Sequence, residues 1–103
     1  MNDRLLGMLG MAVRAGKVSF GVFMTEKALD EGRACLVVAA EDTGASNRRK
    51  IEGKCNATET KIIFYSDKDS LSRAIGKKDV PIVAVCDEGF ANAIVKIYGG
   101  VQK

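Results

Sequence analysis

Apolar residues recur at three- and four-residue spacing near the start of the chain, at Leu5, Leu6, Leu9, Ala12 and Val13, with Gly16 as a stop. That spacing predicts a helix over 2–15. Gly7 and Gly10 fall inside it, at a cost of roughly 1 kcal/mol each against alanine, which marks them as candidates for close packing. Residues 17–20 read as a short strand or a loop. A second helix is predicted over 22–31, closed by Gly32. The run "ACLVVAA" (34–40) is continuously apolar and β-branched, as suits a strand buried on both faces.

A third helix is predicted from a Ser46 cap to about Asn56, beginning earlier if Thr43 is the cap. "KIIFY" (61–65) reads as a second strand. Ser66 or Asp67 then opens a helix over 68–75, ended by Gly76. "PIVAVC" (81–86) reads as a third buried strand, with Pro81 in the first position, where a missing ladder donor does least harm. A last helix over 88–98 leaves "GGVQK" as a loose tail. The alternation predicts an α/β fold with right-handed crossovers and helices on both faces of the sheet. Ligands of such folds meet the loops at the carboxyl ends of parallel strands. Both acid pairs, Glu41-Asp42 and Asp87-Glu88, are expected at such ends. The stretches from Gly16 to Gly21 and from Gly76 to Val80 are the remaining flexible connections.

With 103 residues and 47% hydrophobic content, one domain over 1–103 with a single core is expected. No apolar run approaches a membrane span, so no membrane partner is expected. The N-terminus carries an acid at Asp3 and glycines in its apolar part, and reads as a folded helix and not a secretory leader. A cytoplasmic protein, monomeric when free, is the expectation. Cys35 and Cys86 lie in apolar runs and are expected to be buried thiols, while Cys55 beside Lys54 is the more reactive candidate. The cysteines form no Cys-x-x-Cys pair and the chain has no histidine, which argues against a zinc site; no metal and no cofactor are expected.

Without histidine, the commonest general base and every Ser-His-Asp or Cys-His arrangement are excluded. No Walker loop or Gly-x-Gly-x-x-Gly occurs. "GMLG" (7–10) matches the Gly-x-x-Gly clamp only superficially, since its middle residues are apolar and helical. The strand-end acids admit a magnesium-dependent reading with Asp87 as phosphoacceptor and Lys77 or Lys78 as counter-charge. They equally admit a plain role as helix N-terminal anions.

Lys and Arg number 16 against 13 acids, a net charge of +3. What matters is whether the bases cluster, and Arg14/Lys17, Arg48/Arg49/Lys50/Lys54 and Arg73/Lys77/Lys78 are candidate clusters. A charge run by itself is most often a solvated face. Acids at a strand tip followed by bases form a mix that suits structured RNA: carboxylates accept from exposed base edges, and Arg and Lys hold phosphates.

The stretches "GVFMTEKALDEGRACLVVAAEDTG" and "KKDVPIVAVCDEGFANAI" resemble the kink-turn RNA-binding ribosomal-protein superfamily. That superfamily includes the large-subunit L-seven-Ae and L-thirty-e proteins, small-subunit S-twelve-e and the Gadd stress proteins. "LLGMLGMAVRAGKVSFG" and "SRAIGKKDVPIVAVCDEGFA" are most similar to its small bacterial members. The resemblance implies a three-layer α/β/α sandwich with a central mixed sheet of about four strands. It also implies no catalysis, and binding of a kink-turn or related structured RNA, with the ribosome as a candidate assembly. By position, it implies that Gly21 opens the second helix, that Lys27 holds phosphate, and that Glu41 is the base-contacting acid. Lys77, Lys78, Asp79 and Val80 form the corresponding loop. Val22, Asp42 and Arg48 complete the expected RNA surface. The polar pair typical of kink-turn readers is replaced here by Phe23 and Met24, neither of which hydrogen-bonds a guanine edge through its side chain. The alternative is a protein-interaction module of the same fold, with Val22, Phe23 and Met24 as its apolar patch.

Overall fold

The computed structural model describes residues 3–101, which places Asn2 of the expected first helix and the last two tail residues outside it. Helix α1 (Arg4–Arg14) leads to strand β1 (Val18–Phe20), helix α2 (Gly21–Asp30) and strand β2 (Leu36–Ala39). Helix α3 (Ala45–Ala57), strand β3 (Lys61–Phe64), helix α4 (Lys68–Ala74), strand β4 (Ile82–Val85) and helix α5 (Glu88–Val101) follow. The expected order is therefore present, and the ambiguous 17–20 segment is a strand.

Aspartates start three of the helices. Asp3 accepts the Leu6 N–H at 2.9 Å, Asp67 the Ser70 N–H at 2.7 Å, and Asp87 the Phe90 N–H at 2.9 Å. Each satisfies one of the donors that a helix start leaves unpaired. The bond from the Ser70 N–H holds the Asp67 carboxyl below its usual range. Helix α3 departs from expectation. Its cap is Gly44, with no side-chain bond, and the Thr43 hydroxyl turns back to donate to the Ala40 carbonyl at 2.6 Å. The expected tail is also corrected, because α5 continues through Gly99 and Gly100 to Val101.

The sheet has the order β1-β4-β2-β3. β2 and β3 are parallel, with Leu36 opposite Lys61 and Ala39 opposite Phe64. β4 runs antiparallel to both of its neighbours, with Ile82 opposite Ala39 and Val83 opposite Phe20. This mixed sheet overturns one expectation: Glu41-Asp42 and Asp87-Glu88 lie at opposite ends of the sheet. Helix length supplies the reason. The thirteen residues of α3 span about 20 Å and carry the chain back along the full length of a strand. The seven residues of α4 span only about 10 Å. The chain then doubles back beside that helix, with the Val80 N–H bonded to the Ser72 hydroxyl at 2.8 Å. β4 therefore begins at the end where β3 finished.

Alternate strand residues feed two apolar layers. Leu36, Val38, Ala40, Ile63, Val83 and Val85 meet Leu5 and Leu9 of α1, Leu71 of α4 and Ile94 of α5. Val37, Ala39 and Ile82 meet Leu29 of α2 and Ile51 and Cys55 of α3 on the other face. The result is a three-layer α/β/α sandwich. β2 and β4 are buried along their whole length, as their continuous apolar runs require.

The cysteines reverse their expected ranking. Cys35 is exposed and Cys86 half-buried, because each lies just beyond its strand. Cys55 faces the core, where burial pushes its thiol up to about 11 and keeps it protonated at neutral pH.

Candidate nucleic-acid interface

Strand register gathers the candidate residues at one end of the sheet. β1 and β2 both finish there, and β4 starts there, so Gly21, Glu41 and Val80 border a common surface. Asp87 belongs to the far end and serves α5 there, so it cannot join Glu41 and Asp42 around a metal ion. Among the described residues no cluster of three potential ligands exists. Nothing in this geometry carries the magnesium reading.

Gly21 follows β1 directly and has φ of +88°. This backbone turns the chain from strand into helix within one residue, and open space surrounds the missing Cβ. The glycine is required by conformation and not by crowding. Gly21→Ala is expected to lower stability by roughly 1–2 kcal/mol, the cost of a side chain in the left-handed region, read from denaturant unfolding. Unchanged stability would show that the turn adapts.

The first turn of α2 divides its side chains. Val22 is half-buried against the second apolar layer, beside the exposed pair Phe23 and Met24. Phe23 is 74% exposed and Met24 39%. Phe23 and Lys27 share one wall of a shallow cleft of about 320 Å³, since residues four apart lie on one helix face. The other charges in that cleft are paired. Glu26 faces Lys50 at 3.8 Å, Asp30 faces Lys54 at 2.8 Å, and Glu31 faces Arg33 at 2.7 Å. Lys27 has no such partner among the described residues.

Glu41 is exposed at the end of β2, and its own N–H donates to the Ser66 carbonyl at 2.8 Å. Asp42 turns away from α3, the helix it was expected to favour, and accepts the Lys68 N–H of α4 at 2.8 Å. One of its oxygens is thereby committed to fold, while Glu41 keeps both free among the described residues.

The consecutive bases of α3 do not act as a unit. Arg48 lies over the Phe64 ring at 3.9 Å from its centroid and faces Glu52 at 3.8 Å. Lys50 and Lys54 reach across to α2. Arg49 alone of the three consecutive bases has no ion pair among the described residues. The helix therefore uses most of these charges to fasten α3 to β3 and α2.

In the loop after α4, Lys77 lies over the Phe20 ring at 4.9 Å, which ties this loop to the end of β1. Lys78 is exposed. Asp79 has φ of +55° and faces Lys68 at 3.6 Å. The loop is held from beneath by Ser72, whose buried hydroxyl accepts the Val80 N–H at 2.8 Å and donates to the Val80 carbonyl at 3.1 Å. Sequence reasoning missed Ser72. Nothing in its local pattern distinguishes it from any other helical serine; only the doubled-back loop brings its partner to it.

The arrangement offers an unpaired lysine beside an exposed aromatic ring, a free carboxylate at a strand end, and an exposed lysine on a braced loop. Comparison with known proteins bears on what such a surface serves. Residues 3–95 match the family described as "Ribosomal protein L7Ae/L30e/S12e/Gadd45 family". The chain is 36% identical over 90 residues to the RNA-binding protein YlxQ of Bacillus subtilis, covering 87% of this chain and 90% of that one. It is 40% identical over 93 residues to the large ribosomal subunit protein eL30 of Yarrowia lipolytica, covering 84% and 82%. Among solved structures, a Bacillus halodurans protein of unknown function superposes with a TM-score of 0.92 at 28% identity, covering 95% of this chain and 99% of that one. The Giardia lamblia 15.5kD RNA binding protein shares the fold, with a TM-score of 0.76 at 20% identity and coverage of 99% and 91%.

Proposed function

Because the chain belongs to the ribosomal protein L7Ae/L30e/S12e/Gadd45 family, we propose that it is a non-catalytic RNA-binding protein that acts on structured RNA through the sheet end bordered by Gly21, Glu41 and Val80. The observation that carries this reading is the pairing of Phe23 with Lys27 on one face of α2. The neighbouring acids of that cleft are already matched by lysine or arginine. An aromatic face accepts an unstacked base, and an unpaired ammonium accepts a phosphate. Glu41 is positioned to accept from a base amino or imino group, and Lys77 and Lys78 add phosphate affinity. Arg48, held over Phe64, is the least available of the candidate bases.

Phe23 and Met24 take the two positions where kink-turn readers carry a polar pair. The RNA specificity is therefore expected to rest on a base presented to Phe23 rather than on sheared G·A edges. The test compares a kink-turn RNA with a copy whose tandem G·A pairs are replaced, at near-physiological salt. Equal binding to both supports the stacking mode, and strong preference for the intact RNA returns the chain to kink-turn recognition. Absence of binding to any structured RNA would leave the exposed Phe23 and Met24 as a protein-docking patch.

If four to six cations meet phosphates, the log–log dependence of affinity on salt has a slope of roughly −3 to −5. Lys27→Ala is expected to flatten that slope by about one. An unchanged slope would remove Lys27 from the interface.

A further inference from the structure

A cleft of about 690 Å³, open to solvent, lies between α1 and α4 and reaches Ser66 just beyond β3. Arg14 lines it from α1, and Arg73 and Ser70 line it from α4. Sequence spacing assigned these two arginines to separate clusters, and the fold brings them to one groove. The approach of the two helices depends on Gly10. A methyl group there would meet the Ala74 carbonyl oxygen at 3.2 Å and the Arg14 Nη1 at 3.8 Å.

Neither arginine has an ion pair among the described residues. One carboxylate, Asp3, also lines the groove, and its two oxygens are occupied by the Leu6 N–H and the Tyr65 hydroxyl, each at 2.9 Å. Asp67, which the positive field of Arg73 reaches, is engaged by both the N–H and the hydroxyl of Ser70. Arg73 also lines a second hollow, together with Lys77 and Lys78 and the acids Asp69 and Asp79. The groove is thus joined through Arg73 to the loop that borders the proposed RNA surface.

We propose that this groove is a second phosphate-binding track, which receives the sugar–phosphate backbone of an RNA stem flanking the element held at the sheet end. The inference rests on the RNA-binding reading above. Guanidinium groups match phosphate oxygens through paired N–H donors, and an open groove suits a polymer better than an enclosed small molecule. Backbone contacts of this kind set orientation and carry salt dependence without reading sequence.

The test measures affinity against salt for a kink-turn RNA with a long flanking stem and for the same RNA with that stem cut short. Arg14→Gln and Arg73→Gln are each expected to weaken binding of the long RNA about threefold and to flatten its salt slope by about one. The short RNA is expected to be unaffected. Arg14→Lys and Arg73→Lys, which keep the charge, are expected to retain the slope and control for misfolding. Unchanged slopes on the long RNA, or equal losses on both RNAs, would overturn the second track while leaving the sheet-end site standing. Failure of the wild-type protein to bind these or any other structured RNA would overturn the RNA reading itself, and the track with it.

Discussion

Phe23→Ala is expected to weaken binding of structured RNA about tenfold or more, because stacking of one base on an aromatic ring contributes about 1–3 kcal/mol. Stability should barely change. The ring is 74% exposed, and its removal leaves no cavity. Surface substitutions of this kind usually alter unfolding free energy by less than about 0.5 kcal/mol. The separation of the two effects lets a loss of affinity be assigned to the missing ring and not to unfolding. Phe23→Tyr keeps the stacking face and should restore affinity, whereas Phe23→Leu keeps apolar area but loses the ring. Fluorescence anisotropy with the three variants therefore distinguishes stacking from general hydrophobic contact. If leucine binds as well as phenylalanine, the side chain contributes apolar area only, and the protein-docking reading gains ground.

Ser72→Ala is expected to produce a loss of both kinds. The hydroxyl supplies two bonds to Val80, one to its N–H and one to its carbonyl. Removing it leaves two backbone groups of a partly sheltered segment without partners, at a cost of about 1–3 kcal/mol. For a domain of about 100 residues, each kcal/mol lowers the melting temperature by about 4–8 °C. The loop that Ser72 braces carries Lys77 and Lys78, so RNA affinity should fall as well. Ordering the loop on binding would then consume part of the interaction energy. Calorimetry and a binding titration on the same preparation check the pair of effects. A melting temperature equal to that of the wild type would exclude Ser72 as the brace. A lower melting temperature with unchanged affinity would separate the loop from the interface.

The elements and their order were legible because the chain keeps strong local signals. Four-residue apolar runs at Leu36–Ala39 and Ile82–Val85 have no polar alternative face, and aspartates mark helix starts at Asp67 and Asp87. Strand direction was not legible. The orientation of β4 depends on how far seven helical residues reach, and on a loop that folds back through Ser72, a long-range bond without a local pattern. Thr43 and Ser46 look like caps in sequence, yet Thr43 is spent on Ala40 and Gly44 caps a helix that begins at Ala45. In the site, Glu41, Lys27 and the 76–80 loop could be placed by resemblance. The exposure of Phe23, the half-burial of Val22 and the capture of Arg48 by Phe64 are consequences of packing, and only three dimensions reveal them. The cysteines show the same limit: hydropathy ranked Cys55 last for burial, while its position on the inner face of α3 makes it the buried one.

The strand order also constrains how the protein comes into being on the ribosome. A central place in the sheet is occupied by β4, the last in chain order of the described strands, which pairs with β1 on one side and β2 on the other. Until residue 85 has emerged, β1 has no strand beside it and β2 has only β3. A nascent chain of about 80 residues therefore leaves β1 and one side of β2 unpaired, the latter made of continuously apolar sequence, the condition under which strands pair with the wrong partner. The sheet-end surface is likewise incomplete before that point, because its loop and its middle strand arrive together. Completion of the sheet thus waits for β4, and a polypeptide truncated before β4 should collect in aggregates and bind nothing.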